Sequence, residues 1–263
     1  MLRFRLAILA LCLFPIVGCG GGGSNGTASL GDPLSGNWQM SLQKGPSDPP
    51  KTLSGSLMEG PEGAVTGSAL FSDIPCSGVG DVNGSVNESD VSLTVSPNGS
   101  TVNLTGQLGG GGTTMSGSYT ILSSGCEGSP SGPQAGYWAA SLVSPLEGSI
   151  QGTFVSTKLG MTYPISGKVT QGPNSGSSST PLSGNLSITG SPCFTASTIT
   201  GAISGTSVVI IFSESDGTEI GQISGTSSFD GTSLTGSYKI VRQNTPPGTP
   251  CRGGDTGSVS FKL

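Results

Sequence analysis

From residue 34 onward the chain is written twice, and this duplication restricts its fold more than any other feature. Leu34 to Leu42 reads LSGNWQMSL, and Leu146 to Phe154 reads LEGSIQGTF. Leu53 to Gly63 (LSGSLMEGPEG) pairs with Ile165 to Gly176 (ISGKVTQGPNSG), and Pro75-Cys76 with Pro192-Cys193. Further on, Asn98-Gly99 matches Asp216-Gly217, and Met115 to Ile121 (MSGSYTI) matches Leu234 to Ile240 (LTGSYKI). Cys126 then matches Cys251, and Gly136 to Leu142 (GYWAASL) matches Gly257 to Leu263 (GSVSFKL). The order never breaks. The sequence therefore predicts two homologous domains, 34–144 and 145–263, each of a common domain size.

What each copy folds into follows from its local pattern. About eight short β-favouring runs fill each one, from 36–43 to 135–143 in the first and from 148–157 to 256–263 in the second. Gly (46) and Pro (18) are frequent enough to suggest disorder, but charged residues make up only 10% of the chain and Val, Ile and Thr are abundant. That balance suits pleated, half-buried strands joined by tight turns. Asn98-Gly99, Asp216-Gly217 and Asp230-Gly231 are hairpin signals, because such pairs tolerate the positive φ of type I′ turns. The expected class is all-β: two tandem antiparallel barrels, or flattened barrels or sandwiches, of about eight strands each.

One pattern recurs inside the runs: apolar, Ser or Thr, Gly, any residue, apolar. It stands at Leu53 to Leu57, Leu104 to Leu108, Met115 to Tyr119, Ile165 to Val169 and Leu234 to Tyr238. A side-chain period of two puts both apolar residues and the Gly on one face, the core, where Gly permits a sharp bend or a close backbone approach. With Gly36-Asn37-Trp38, this pattern resembles strands of the avidin and lipocalin barrels, a likeness limited to short motifs. It implies a barrel, with a small hydrophobic ligand as one functional alternative. Trp38 and Trp138 are the only tryptophans, so the aromatic-rich avidin pocket cannot be placed.

At the N-terminus, Arg3 and Arg5 precede an apolar run from Leu6 to Val17, too short to span a bilayer. It ends in Ile16-Val17-Gly18-Cys19, which resembles the bacterial lipobox. The resemblance implies a signal peptide over 1–18 and a lipid on Cys19. Residues 19–33 then form a lipidated tether whose Gly20 to Gly26 stretch cannot bury anything. Gly20 stands where many inner-membrane lipoproteins carry Asp, so the outer membrane or cell surface is expected. Loss of Arg3 and Arg5 takes 10 basic residues to 8 against 15 acidic, net −7. With no basic stripe, a nucleic-acid partner is not expected.

Cys12 leaves with the signal, so four cysteines remain besides Cys19. In an oxidising compartment disulfides are the default, and of three possible pairings the repeat selects Cys76–Cys126 and Cys193–Cys251. In an eight-stranded meander each pair lies at one end, on opposite sides of the barrel. Either the barrel is flattened, or loops fold over that mouth to bring Cα atoms within about 7 Å. Such closure argues against an open, lipocalin-like carrier.

The chain has no His, which removes Ser-His-Asp and Cys-His catalysis and His-ligated metals; no cofactor or metal is expected. Asp73, Asp81, Glu88 and Asp90 leave a carboxylate hydrolase formally open, yet none has an acidic counterpart in the second copy, so solvated positions are expected. Trp38 and Trp138 are either glycan-stacking platforms or core plugs. Their counterparts, Ile150 and Val259, are aliphatic, which favours the core. Tyr119 and Tyr238 read as structural, with hydroxyls seeking a rim partner. The sequence resembles bacterial lipoproteins built of Gly/Ser/Thr-rich β repeats with paired cysteines. It points to a lipid-anchored, non-enzymatic binding or structural module meeting an envelope protein or glycan. A small-ligand barrel is the alternative, and a carboxylate hydrolase comes third.

Overall fold

A computed structural model describes residues 34–72, 77–98, 100–122, 132–241 and 254–263. It is all-β and forms two closed, eight-stranded antiparallel barrels in tandem. The first comprises β1 (Gly36–Gln43), β2 (Lys51–Glu59), β3 (Ala64–Phe71), β4 (Gly78–Asn87), β5 (Asp90–Pro97), β6 (Thr101–Leu108), β7 (Thr114–Leu122) and β8 (Gln134–Val143). The second comprises β9 (Gly148–Ser156), β10 (Thr162–Gln171), β11 (Thr180–Ile188), β12 (Ala196–Ser204), β13 (Ser207–Ser213), β14 (Glu219–Ser227), β15 (Ser233–Ile240) and β16 (Asp255–Lys262). Each is an up-and-down meander closed by pairing its first strand with its last, which leaves no free edge. They are barrels, not sandwiches.

The duplication holds at the level of register. Trp38 faces Gly55 across β1 and β2, and Ile150 faces Gly167 across β9 and β10. At the other seam Gly117 faces Trp138, and Gly236 faces Val259. A side-chain latch is repeated too: the Leu34 N–H donates to Glu59 Oε2 at 3.1 Å, and the Leu146 N–H to Gln171 Oε1 at 2.9 Å. These two leucines are fully buried and plug corresponding barrel ends. In the first barrel Trp38 Nε1–H also donates to the Leu34 carbonyl at 2.9 Å.

Alternation sets inside from outside. Along β7, Met115, Tyr119 and Ile121 are buried while Ser116, Ser118 and Thr120 are exposed. The recurrent glycines lie on the inner face, as the pattern predicts. Gly106 and Gly117 are direct partners on β6 and β7, and a Cβ on either would strike the other's backbone. Trp138 fills the adjacent position and donates its Nε1–H to the Thr105 carbonyl at 3.0 Å. Small residues beneath a large one are how a narrow barrel interior fills its taper. With the inside apolar and outward positions largely Ser, Thr and Asn, the polarity is inverted from a barrel that faces lipid. Among the described residues no helix is long and apolar enough to cross a membrane.

The hairpin signals mark hairpins, but the two Asp-Gly turns differ in type from expectation. Asn98 has φ 39°, and the Ser100 N–H donates to the Pro97 carbonyl, as a two-residue turn requires. In Asp216-Gly217 and Asp230-Gly231 only the glycine has positive φ. The Gly217 N–H donates to Glu214 O and the Gly231 N–H to Ser228 O, so each is a type I turn followed by a left-handed Gly. The cause is the Asp side chain. Asp216 Oδ1 accepts from the Thr218 N–H at 2.9 Å and Asp230 Oδ1 from the Thr232 N–H at 3.1 Å, which holds each Asp right-handed. Hydrogen bonds lower both carboxyls below the ordinary Asp range, chiefly from the Thr218 backbone in one and the Ser228 hydroxyl in the other.

Candidate functional site

The barrel interiors come first, because a carrier would hold its ligand there. Both are filled by contiguous clusters of buried side chains. Trp38 is fully buried and Trp138 is 2% exposed, so both tryptophans are core plugs. In the second barrel a row of aromatic rings crosses the core near one end. Phe194 lies 5.1 Å from Phe212 and Phe212 6.3 Å from Phe154, which stacks on Tyr238 at 4.4 Å and 13°.

The last ring of the row, Tyr238, meets a buried polar cluster at that mouth. Asp255, 4% exposed, accepts the Tyr238 hydroxyl at 2.8 Å on Oδ2. Its Oδ1 takes the Ser156 hydroxyl at 2.8 Å and the Thr256 N–H at 2.9 Å. Ser156 Oγ in turn accepts the Leu159 N–H at 2.9 Å, tying the β9–β10 turn to the cluster. Burial first, and then the bond to Asp255, push the Tyr238 phenol above its ordinary range. Tyr119, its counterpart, is raised by burial and then by the charge of Asp48. Both oxygens of the Asp255 carboxylate are thus engaged in bracing the mouth. Sequence reading missed Asp255, whose counterpart in the first copy is Gln134.

The mouth is also covered by its loop. Cys193, 2% exposed, and Phe194 turn inward between β11 and β12, and the Cys193 sulfur is disulfide-bonded. Here the loop folds over a barrel that stays closed. Outside this lid lies an open surface cleft of about 670 Å³ lined by Pro192, Thr195, Thr198 and Glu214. Cys19, Cys76, Cys126, Cys251 and Asp73 lie outside the described residues, as do the signal and tether. Asp81, Glu88 and Asp90 are exposed on β4, β5 and the turn between them. Among the described residues no group of three or more His, Cys, Asp or Glu is disposed to hold a metal ion.

The junction between barrels is where the two copies diverge. The β10–β11 loop and the β12–β13 turn sit against the outer wall of β1 and β2. Asn37 clasps the backbone of Gly205: its Nδ2 donates to the Gly205 carbonyl at 2.8 Å and its Oδ1 accepts the Gly205 N–H at 2.7 Å. Gly205 has φ 55°, and a Cβ there would strike Gln39 Oε1, which accepts the Thr206 N–H at 3.1 Å. Ser54 and Ser204 share a hydroxyl bond of 2.8 Å. Asn174 accepts the Ser56 hydroxyl and donates to the Leu57 carbonyl. The linker joins in, with the Ser144 N–H donating to Phe229 O at 2.9 Å. These bonds carry no formal charge, and Asn37, Ser54 and Ser56 are buried by them.

Beside the junction opens a cleft of about 640 Å³, the most apolar of the described clefts. Gly36, Leu142, Val143, Pro145 and Pro173 supply its apolar wall, and Asn37, Gln171 and Glu147 its polar groups. Volume, apolar lining, a few polar groups and a place between domains are the usual attributes of a small-ligand site. It is the candidate binding site of this chain.

No protein-family model matches the chain, and no curated protein matches it. Among solved structures it is similar to kievitone hydratase from Nectria haematococca, in a C2 crystal form. Identity is 10% over 88% of this chain and 90% of that one, with a TM-score of 0.20. A superposition that loose carries no argument about chemistry.

Proposed function

We propose that this chain is a lipid-anchored, extracytoplasmic, non-enzymatic module of the bacterial envelope, held by a lipid on Cys19 at the outer membrane or cell surface and binding through its exterior. The observation that carries the binding half is that both barrel interiors are filled by their own side chains. An avidin- or lipocalin-like carrier needs an empty interior, so the filled cores speak against the alternative of an internal small-ligand pocket. A small ligand would instead meet the inter-barrel cleft. The exposed positions of Asp81, Glu88 and Asp90, together with the absence of His, support a role without catalysis. Support for the anchor is the sequence Ile16-Val17-Gly18-Cys19 behind its basic and apolar leader. Within this reading the pairings are Cys76–Cys126 and Cys193–Cys251, one in each barrel.

Mass spectrometry of the protein purified from membranes tests all of this together. The expected result is an N-terminal peptide starting at lipid-bearing Cys19, plus disulfide-linked peptides joining Cys76 to Cys126 and Cys193 to Cys251. Cys19→Ala should move the protein out of the membrane fraction. An unmodified N-terminus beyond residue 19, or membrane retention of the variant, refutes the anchor; a bond from Cys193 to Cys76 refutes the pairing.

A further inference from the structure

The geometry points to a binding site for neutral pyranose glycan on the outer wall of the first barrel, centred on Tyr137. Alternation along β8 sends Trp138 into the core and Tyr137 out, where it is 69% exposed, more than any other large apolar or aromatic residue described. It lies in mid-strand, hydrogen-bonded on both sides, opposite Ser118 of β7 and Gln43 of β1. The ring is therefore carried on a rigid wall.

The ground around that ring selects the ligand. Outward residues of β6, β7 and β8 are Ser, Thr, Asn, Gln, Ala, Leu and Tyr, and none carries a formal charge. Next to Tyr137 the hydroxyls of Ser118 and Thr105 form a cross-strand pair at 3.2 Å, with Ser116 one step along the strand. Gln43 closes the other side, its Nε2 donating to the Pro46 and Asp48 carbonyls of the Pro-rich β1–β2 loop. A pyranose ring has an apolar C–H face that covers an aromatic ring, and an edge of hydroxyls that exchange hydrogen bonds with Ser, Thr and Gln. Rigid Tyr beside adaptable small polar groups is an effective contact surface. A protein partner needs about 800 Å² per side with several buried anchors, and this wall offers one. The nearest formal charges, Lys44 and Asp48 of the β1–β2 loop, are of opposite sign, so a charged glycan or peptide would find no net counter-charge.

The second barrel supplies an internal contrast. Ser258 occupies the position of Tyr137, and Lys239 that of Thr120, so the matching wall loses the ring and gains a charge. The site thus belongs to one copy. It deepens the binding reading above by naming the partner's chemistry and rests on that reading, but its test does not involve the anchor.

Full-length protein from membranes, in a detergent without a sugar headgroup, is titrated calorimetrically with chitohexaose and cellohexaose, and co-sedimented with isolated peptidoglycan sacculi. At least one of these β-linked glycans, the two oligosaccharides being neutral, should bind. Tyr137→Ala should weaken that binding about tenfold, the loss typical of a truncated aromatic anchor, while Tyr137→Phe retains it. Because Tyr137 is exposed, both variants should melt as the parent does, a check on folding. No binding to any of the three probes overturns the proposal. So does binding that Tyr137→Ala leaves intact, or retention through Tyr137 of an envelope protein without glycan. Lipid on Cys19 with no glycan binding would leave the anchored-module reading standing and refute this site alone.

Discussion

Gly117→Ala tests why the glycine pattern exists. A Cβ at Gly117 would lie 2.8 Å from the Thr105 carbonyl carbon, and closer still to its oxygen and to Gly106 Cα. These are backbone atoms of β6, so no rotamer change relieves the clash. Ordinary contact begins near 3.4 Å, and β6 and β7 would have to part by ~1 Å where Gly106 faces Gly117. Parting stretches neighbouring ladder bonds, and the Trp138 bond to Thr105 O with them. Overpacking costs about 1–3 kcal/mol and one backbone group left unsatisfied about 1–3 more, so the expected destabilisation is about 2–6 kcal/mol. That is a large fraction of the ~5–15 kcal/mol that holds a domain together. Trp38 and Trp138 are both in the first barrel, so tryptophan fluorescence during urea unfolding reports that barrel alone. Gly110→Ala is the control: its Cβ would meet nothing within 4 Å, and a shift within about 0.5 kcal/mol is expected. If Gly117→Ala also melts within about 0.5 kcal/mol of the parent, close strand approach is not why glycine stands there.

Asn37→Ala should leave the Gly205 N–H and carbonyl buried without their partner, costing about 2–4 kcal/mol at the junction. Tryptophan fluorescence and far-UV circular dichroism should then unfold at different urea concentrations; coincident transitions as stable as the parent's would refute a junction held by Asn37. Alkaline pH should weaken the fold. Tyr238 and Tyr119 keep their protons in the folded state past the ordinary value of 10.0, whereas the unfolded chain releases them there. The stability is fully present below about pH 10 and falls as pH rises toward the folded-state values, by up to ~1.4 kcal/mol per pH unit for each group. Urea midpoints against pH should show the fall, with Tyr238→Phe flattening it; an unchanged slope excludes Tyr238 as a cause. Tyr238→Phe also leaves Asp255 one hydrogen bond short and should cost about 1.5–3 kcal/mol at neutral pH by the same melts, a loss that near-parent stability would contradict. Asp230→Ala should speed amide hydrogen exchange at Thr232, and unchanged protection there would argue against the Asp side chain as the brace of that turn.

Whatever depends on neighbours along the chain could be read from the residues alone. Alternating apolar residues and turn residues are local signals, and reading them twice multiplied their weight, so strand number, all-β class and two tandem domains were legible, whereas closure into barrels rather than sandwiches was not. So was the burial of Trp38 and Trp138, because their aliphatic counterparts share one inward position. Whatever depends on groups that arrive from elsewhere emerged only with the folded barrels. Asn37 and Ser149 hold the same place in the two copies, yet Asn37 is buried and Ser149 exposed, since only the first meets the Gly205 turn. Nothing near Asp255 in sequence announces that Ser156 and Tyr238 will close on its carboxylate. The Asp-Gly turns resolved as type I because a side-chain bond to Thr outweighed the preference that the dipeptide advertises. Tyr137, passed over in the sequence, became visible only when barrel closure fixed one wall as outside and showed its strands β6 to β8 to present no charged side chain. Pattern along a strand fixes which way a side chain points. What it meets there is set by contacts between residues far apart in the chain, and those contacts distinguish two barrels written in nearly the same words.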